Sequence, residues 1–259
     1  MLRPESIVDD LTPLPHQPTN TVWPTEGWPR GAPEASTLAI LNQHVDSIFD
    51  LEPAQGVTYA LLIVKDGRLI CERYDAGANP MYLQYSWSMA KSITHALVGI
   101  LVRQGRIDIY QPARVEEWQS SDDPRREITF DQLLRMSSGL SFVEDYVDGQ
   151  VSDVIPMLMG EGKDDTGSFA AAKPLAHPPG SFWSYSSGTT NIICRLLKEI
   201  IGDGPSGMLA FMHRELFEPL GMYTPTPRFD TSGTFIGSSF LLATPEDFAR
   251  QLRGPSSGR

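Results

Sequence analysis

Lysine is scarce in this chain. Five lysines stand among 259 residues, and Asp plus Glu outnumber Lys plus Arg by 32 to 21, for a net charge of −11. A surface so poor in positive charge is a weak match for nucleic acid or an anionic membrane, and neither is expected as a partner. No uninterrupted apolar run reaches the roughly eighteen residues that a spanning helix needs. The segment Met1 to Asp10 carries acids and no apolar stretch of the kind a secretory leader has. The expected setting is therefore soluble and cytoplasmic. Cysteine is almost absent too: Cys71 and Cys194 lie in an apparent strand and an apparent helix, without metal spacing, and read as reduced core residues. The residues leave a bridge between them open. His16, His44 and His213 show no metal spacing, no repeat is visible, and no cofactor or metal is implied.

What is present is 41% hydrophobic content, ordinary for a globular protein of this length. Residues 1–35 hold seven prolines with Trp23 and Trp28 between them and read as an extended arm packed on the remainder. Leu38, Leu41, Val45, Ile48 and Phe49 follow a helical period, with Ser36 as the expected cap. Two strands, 57–64 and 69–74, flank Asp66-Gly67, a strong hairpin turn signal. Thr129 predicts a capped short helix over 131–135, and 151–159 reads as another short helix. The tracts 144–149 and 160–165 read as solvated and without chemistry. Pro178-Pro179-Gly180 predicts a turn delivering Tyr185, ahead of an apolar helix over 190–201. A further helix spans 208–217, and Thr244-Pro-Glu-Asp247 is a helix start.

The stretch from Trp87 to Val102 is apolar nearly all round and predicts a helix in the middle of the domain. Ser88 and Lys91 are three residues apart at its start, on one face of the first turn. A serine hydroxyl becomes a useful nucleophile when a nearby base takes its proton, and burial favours the neutral lysine that can do so. Spacing alone carries little weight: with 23 serines and 5 lysines, chance supplies about 0.4 such pairs. The upstream hairpin and the apolar helix give the pair its weight. His95, four residues after Lys91, either tunes that lysine, orients Ser92, or is a structural core group, as His177 is expected to be.

Taken in order, the hairpin, Trp87-Ser-Met-Ala-Lys91, Leu133-Leu-Arg-Met-Ser-Ser-Gly-Leu140, the Pro-Pro-Gly turn before Tyr185-Ser-Ser187, and Leu216-Phe-Glu-Pro-Leu-Gly-Met222 resemble the serine beta-lactamase-related hydrolases. That group includes class C beta-lactamases, D-alanyl-D-alanine carboxypeptidases, family VIII esterases and 6-aminohexanoate-dimer hydrolases. The resemblance implies a mixed α/β (α+β) fold of the beta-lactamase/transpeptidase type, an antiparallel sheet with an inserted helical region, over a catalytic domain at 36–259. It also implies Ser88 as acyl acceptor, Lys91 as the group that takes its proton, Tyr185 as the acid/base for the leaving group, and the Ser88 N–H as half of an oxyanion hole.

Two departures matter. Lactamases of this group typically show Tyr-x-Asn, whereas position 187 is Ser, a substrate-binding candidate with a single hydroxyl; this tilts the expectation toward small esters or simple amides. The family's third motif, on a later strand, is missing, so the expectation is a truncated chain without its C-terminal strands. Gly254-Pro-Ser256-Ser-Gly258 matches an esterase elbow but lacks the flanking strand and helix that it needs. The expected function is a serine hydrolase working through an acyl-enzyme, with lactamase or carboxypeptidase activity, or an inactive binding relative, as the alternatives.

Overall fold

A computed structural model describes residues 24–146 and 152–253. Residues 1–23, most of the Pro-rich arm, and the Gly-x-Ser-x-Gly match at 254–258 lie outside them.

The arm's last residues already have work to do. Leu69 N–H donates to Pro29 O at 2.8 Å and Gly31 N–H donates to Leu69 O at 3.1 Å, so the arm runs along one edge of the hairpin. Helix α1, Ala35–Phe49, follows. Glu34, not Ser36, occupies its cap position, and no side chain caps it. Strands β1, Ala60–Lys65, and β2, Arg68–Tyr74, pair antiparallel from Ala60 opposite Tyr74 to Lys65 opposite Arg68. Asp66 and Gly67 have φ of 50° and 73°, which matches the twist of the strands they join. Among the described residues this hairpin is a sheet of two strands. A second sheet orders β3 (Gln84–Tyr85), β5 (Leu241–Ala243) and β4 (Thr226–Pro227) side by side, so a segment late in the chain grips the loop ahead of Ser88.

Helix α2, Ala90–Arg103, packs against α6, Ser187–Ile201, and these two form the centre of the helical layer. Around them lie α3 (Phe130–Leu134), α4 (Val154–Met159), α5 (Thr166–Ala171) and α7 (Gly204–Met212), the last running through a π turn into α8, Glu218–Leu220. Trp118, Phe217 and Phe235 are fully buried in the core. The α3 cap is a full capping box between Thr129 and Gln132. Helix α5 went unread because Asp165 closes the acidic tract 160–165 and caps it, accepting from Ser168 N–H at 3.0 Å.

Helix α2 departs from the all-round burial expected of it. Ser92, His95, Gly99 and Val102 form an exposed stripe along it. Three of the four carry little apolar surface, so leaving them in water costs little. No helix among the described residues is long and apolar enough to cross a membrane. The fold is mixed helix and antiparallel strand.

Helix α9, Pro245–Arg253, starts as its acids and proline predict. Its Asp247 is buried and accepts from Tyr223 N–H, Thr224 N–H and Arg250 Nη1, the last at 2.7 Å, while Arg250 Nε donates to Pro24 O at 2.9 Å. One carboxylate thus holds the arm, β4 and α9 in register. Replacing it by alanine strands a buried guanidinium and two amides. Asp247→Ala is expected to lower the unfolding free energy by about 3–5 kcal/mol, measured by urea denaturation; a loss below about 1 kcal/mol would contradict the role given to it.

Candidate active site

Ser88 is exposed and sits in a single 3₁₀ turn, Trp87–Met89, at the mouth of α2. The turn is strained: Trp87 has φ of 42°, a conformation costing an aromatic residue on the order of 1–3 kcal/mol. Its neighbours hold it there. Ser86 N–H donates to Leu241 O at 2.8 Å, Leu241 N–H donates to Ser86 Oγ at 3.1 Å, and Ser86 Oγ donates to Ser239 O at 3.1 Å. The Trp87 ring lies 6.2 Å from that of Tyr85 and 5.9 Å from that of Phe240.

Lys91, one helical turn on, is 7% exposed. Its Nζ donates to Ser88 Oγ at 3.1 Å, Ser187 Oγ at 3.0 Å and Ser238 O at 2.9 Å. The Tyr185 ring centroid stands 4.9 Å from the same nitrogen. All four residues singled out from the sequence, Ser88, Lys91, Tyr185 and Ser187, therefore meet at one point. Ser187 is the first residue of α6, and Ser186 caps that helix by accepting from Thr189 N–H at 3.1 Å. Gly139 and Gly188 allow the close approach behind it: a Cβ on Gly139 would lie 2.1 Å from His177 O, and one on Gly188 would lie 2.6 Å from Phe142.

Two parts of the site were not found from sequence. The first is Glu144, in the loop read as solvated and without chemistry. Its carboxylate accepts from Ser187 N–H, from Ser187 Oγ at 2.9 Å and from Tyr146 Oη at 3.0 Å. Partial loss of water, the Glu144 charge and their hydrogen bond push the Tyr146 hydroxyl up to about 12, which keeps it a donor. The second is Gly237-Ser238-Ser239, threaded between α2 and α6. Thr94 Oγ1 donates to Gly237 O at 3.3 Å and Ser238 N–H donates to Asn191 Oδ1 at 3.2 Å. A Cβ at Gly237 would lie 2.3 Å from Thr94 Oγ1 and 2.5 Å from Cys194 Sγ, so only glycine fits. No local pattern marks either part; an acid in a polar stretch and a Gly-Ser-Ser tract look like surface.

Among the described residues, the remaining candidates make no hydrogen bond to Lys91. His95 is exposed and makes no hydrogen bond to Lys91 or Ser92 among the described residues. His177 stacks on Phe182 with centroids 4.2 Å apart. Cys71 and Cys194 are free thiols, and burial pushes Cys194 up to about 11. No cluster of His, Cys, Asp and Glu suited to a metal occurs among the described residues.

Two clefts abut the Lys91 cluster. Ser88, Tyr146, Ser187 and Ser239 line one of about 420 Å³, together with apolar side chains from α4. Tyr185, Glu144, His177 and Trp183 line the other, of about 440 Å³. They meet where Ser187 donates to Glu144.

Comparison with known proteins agrees with this layout. The Beta-lactamase family model matches residues 45–234. A 6-aminohexanoate-dimer hydrolase of Paenarthrobacter ureafaciens is 35% identical over 95 residues, 35% of this chain and 23% of that protein. A Bacillus anthracis protein assigned to the 6-aminohexanoate-dimer hydrolases superposes with a TM-score of 0.63 at 24% identity, over 81% of this chain and 55% of that one. A beta-lactamase/D-alanine carboxypeptidase from Yersinia pestis superposes with a TM-score of 0.55 at 16% identity, over 74% and 61%. The chain thus spans between about a quarter and three fifths of the length of these relatives. With a family match running from α1 into the loop ahead of β5, over more than half of its length, the chain belongs to the Beta-lactamase family.

Proposed function

We propose that the site is that of a serine hydrolase cleaving small esters or amides through an acyl-enzyme at Ser88. The observation that carries this reading is the 3.1 Å contact between Lys91 Nζ and Ser88 Oγ, with the lysine's other partners already in place. Ser238 O can only accept, and the Ser187 hydroxyl hydrogen is committed to Glu144, so the Ser187 oxygen also accepts from Lys91. To act as the base, Lys91 keeps these two acceptors and takes the Ser88 proton along its third contact, the 3.1 Å approach to Ser88 Oγ, which is the reach that general-base activation of a hydroxyl requires.

The steps follow from that geometry. Ser88 Oγ attacks the substrate carbonyl carbon and its proton passes to Lys91. The carbonyl oxygen takes up charge against the Ser88 N–H, the half of an oxyanion hole that the resemblance implies. The bond from carbon to the leaving oxygen or nitrogen breaks, and that atom takes a proton through Tyr185. Water then attacks the acyl carbonyl, the new acid departs, and Ser88 regains its proton. The hydrolase names of the relatives support this chemistry, and a serine at position 187 in place of an amide favours esters and simple amides over lactams.

Intact mass after brief exposure to a nitrophenyl ester, with release of nitrophenol followed by absorbance, tests the reading. A Ser88-dependent acyl adduct is expected. Ser88→Ala abolishes both signals, and Tyr185→Phe slows turnover by about 10²–10⁴-fold; full activity in Ser88→Ala would sink the assignment. A second expectation concerns the link to Glu144. Ser187→Ala removes one of the oxygens held by Lys91 and is expected to lower kcat by about 10–100-fold, with KM changing less. An unchanged kcat would remove Ser187 from the machinery.

A further inference from the structure

We infer that the cleft beside Ser88 is an acyl-chain site selective for uncharged, apolar chains; the inference rests on the hydrolase reading above. Helix α4 reads Val-Ile-Pro-Met-Leu-Met and is apolar on every face. Val154, Met157 and Leu158 sit in the core, whereas Ile155 and Met159 are 55% and 60% exposed and stand on the wall of the cleft with Trp87, which is 57% exposed. Large apolar side chains held in water around a reactive hydroxyl mark a surface meant to be covered by something apolar. The polar groups in the same wall are the hydroxyls of Ser88, Tyr146, Ser187 and Ser239, and no charged side chain lines it among the described residues. A carboxylate or ammonium on the bound chain would lose its water there and gain no partner.

The direction of the substrate follows from Tyr185. The leaving group must reach that hydroxyl, and Tyr185 lines the other cleft, together with Glu144 and Trp183. The acyl portion, bonded to Ser88 Oγ, is left with the α4 cleft. Its volume of about 420 Å³ is of the size that takes a small organic group.

The experiment is a kcat/KM series with the 259-residue chain, using p-nitrophenyl acetate, butyrate and hexanoate and the mono-p-nitrophenyl ester of glutaric acid, with Ser88→Ala as the blank. The value is expected to rise about threefold per methylene from acetate to hexanoate. The glutarate ester, of similar length but charged, is expected to fall to the acetate level or below it. Ile155→Asp places a charge on the exposed wall without entering the core, and is expected to cut the hexanoate-to-acetate ratio about tenfold or more; a melt confirms that the variant is folded. A flat or falling series, or a glutarate ester cleaved as fast as hexanoate, overturns the acyl site and leaves the Ser88 chemistry standing. Binding of N-phenylhexanamide against N-phenylacetamide to the Ser88→Ala variant, by calorimetry, separates the two ideas. Chain-length preference in binding without Ser88-dependent turnover keeps the apolar site and removes the hydrolase reading, and no binding preference together with no Ser88-dependent turnover overturns both.

Discussion

The buried nitrogen of Lys91 is the constraint to which the other parts of the site answer. A group of this polarity is tolerated in a core only with its hydrogen bonds made, and the partners at hand come from three places far apart in the chain. Ser88 precedes it by three residues, Ser187 begins α6, and Ser238 lies in a loop near the end of the described chain. Each partner in turn imposes a demand on its own surroundings. For Ser238 to present its carbonyl, its backbone must pass between α2 and α6, which requires glycine at 237 and an amide anchor at Asn191. For Ser187 to present its oxygen, α6 must start at that spot, which the Ser186 cap secures.

The Ser88 hydroxyl is positioned by a different device. Trp87 holds a backbone angle that an isolated chain would abandon, and the strain persists because β3 is paired to β5 on one side and the Trp87 ring is packed between Tyr85 and Phe240 on the other. The result is an exposed hydroxyl on a tightly held turn, one helical turn from the buried Lys91 amine. Rigidity here comes from tertiary pairing rather than helix propensity, since the 3₁₀ turn itself has no side-chain cap. The hairpin of β1 and β2 stands outside this construction. It is held instead by the arm at Pro29 to Gly31 and by packing of β1 against α9.

Much of this was legible in the residues, wherever the signal was local. Asp66-Gly67, the Thr129 cap and Pro245 each act within a few residues, and each appears where its chemistry puts it. Ser88 and Lys91 were legible for the same reason, their spacing being a property of one helical turn. Glu144 and Gly237 to Ser239 were not, because an acid in a polar loop and a glycine beside serines acquire meaning only from a partner many positions away, 43 for Glu144 and Ser187. The exposed stripe on α2 was misread for a related reason. Periodicity reports how apolar a helix face is, whereas exposure depends on what the rest of the chain lays against it.

The pairing of Ser187 with Glu144 also accounts for a departure that sequence alone could only note. An amide at position 187 has an acceptor and two donors with fixed directions, and could face a lysine without help. A serine has one hydrogen on a freely rotating hydroxyl, and nothing in the residue decides whether that hydrogen points toward the lysine or away from it. Glu144 decides it, by accepting that hydrogen at 2.9 Å and the Ser187 N–H besides. With the proton drawn off toward the carboxylate, the oxygen turns its lone pairs to Lys91 Nζ, which lies 3.0 Å away. The smaller side chain at 187 therefore depends on a carboxylate in a loop that an amide would not have needed, and the Tyr146 hydroxyl, donating to the same carboxylate, helps to hold that loop over the site.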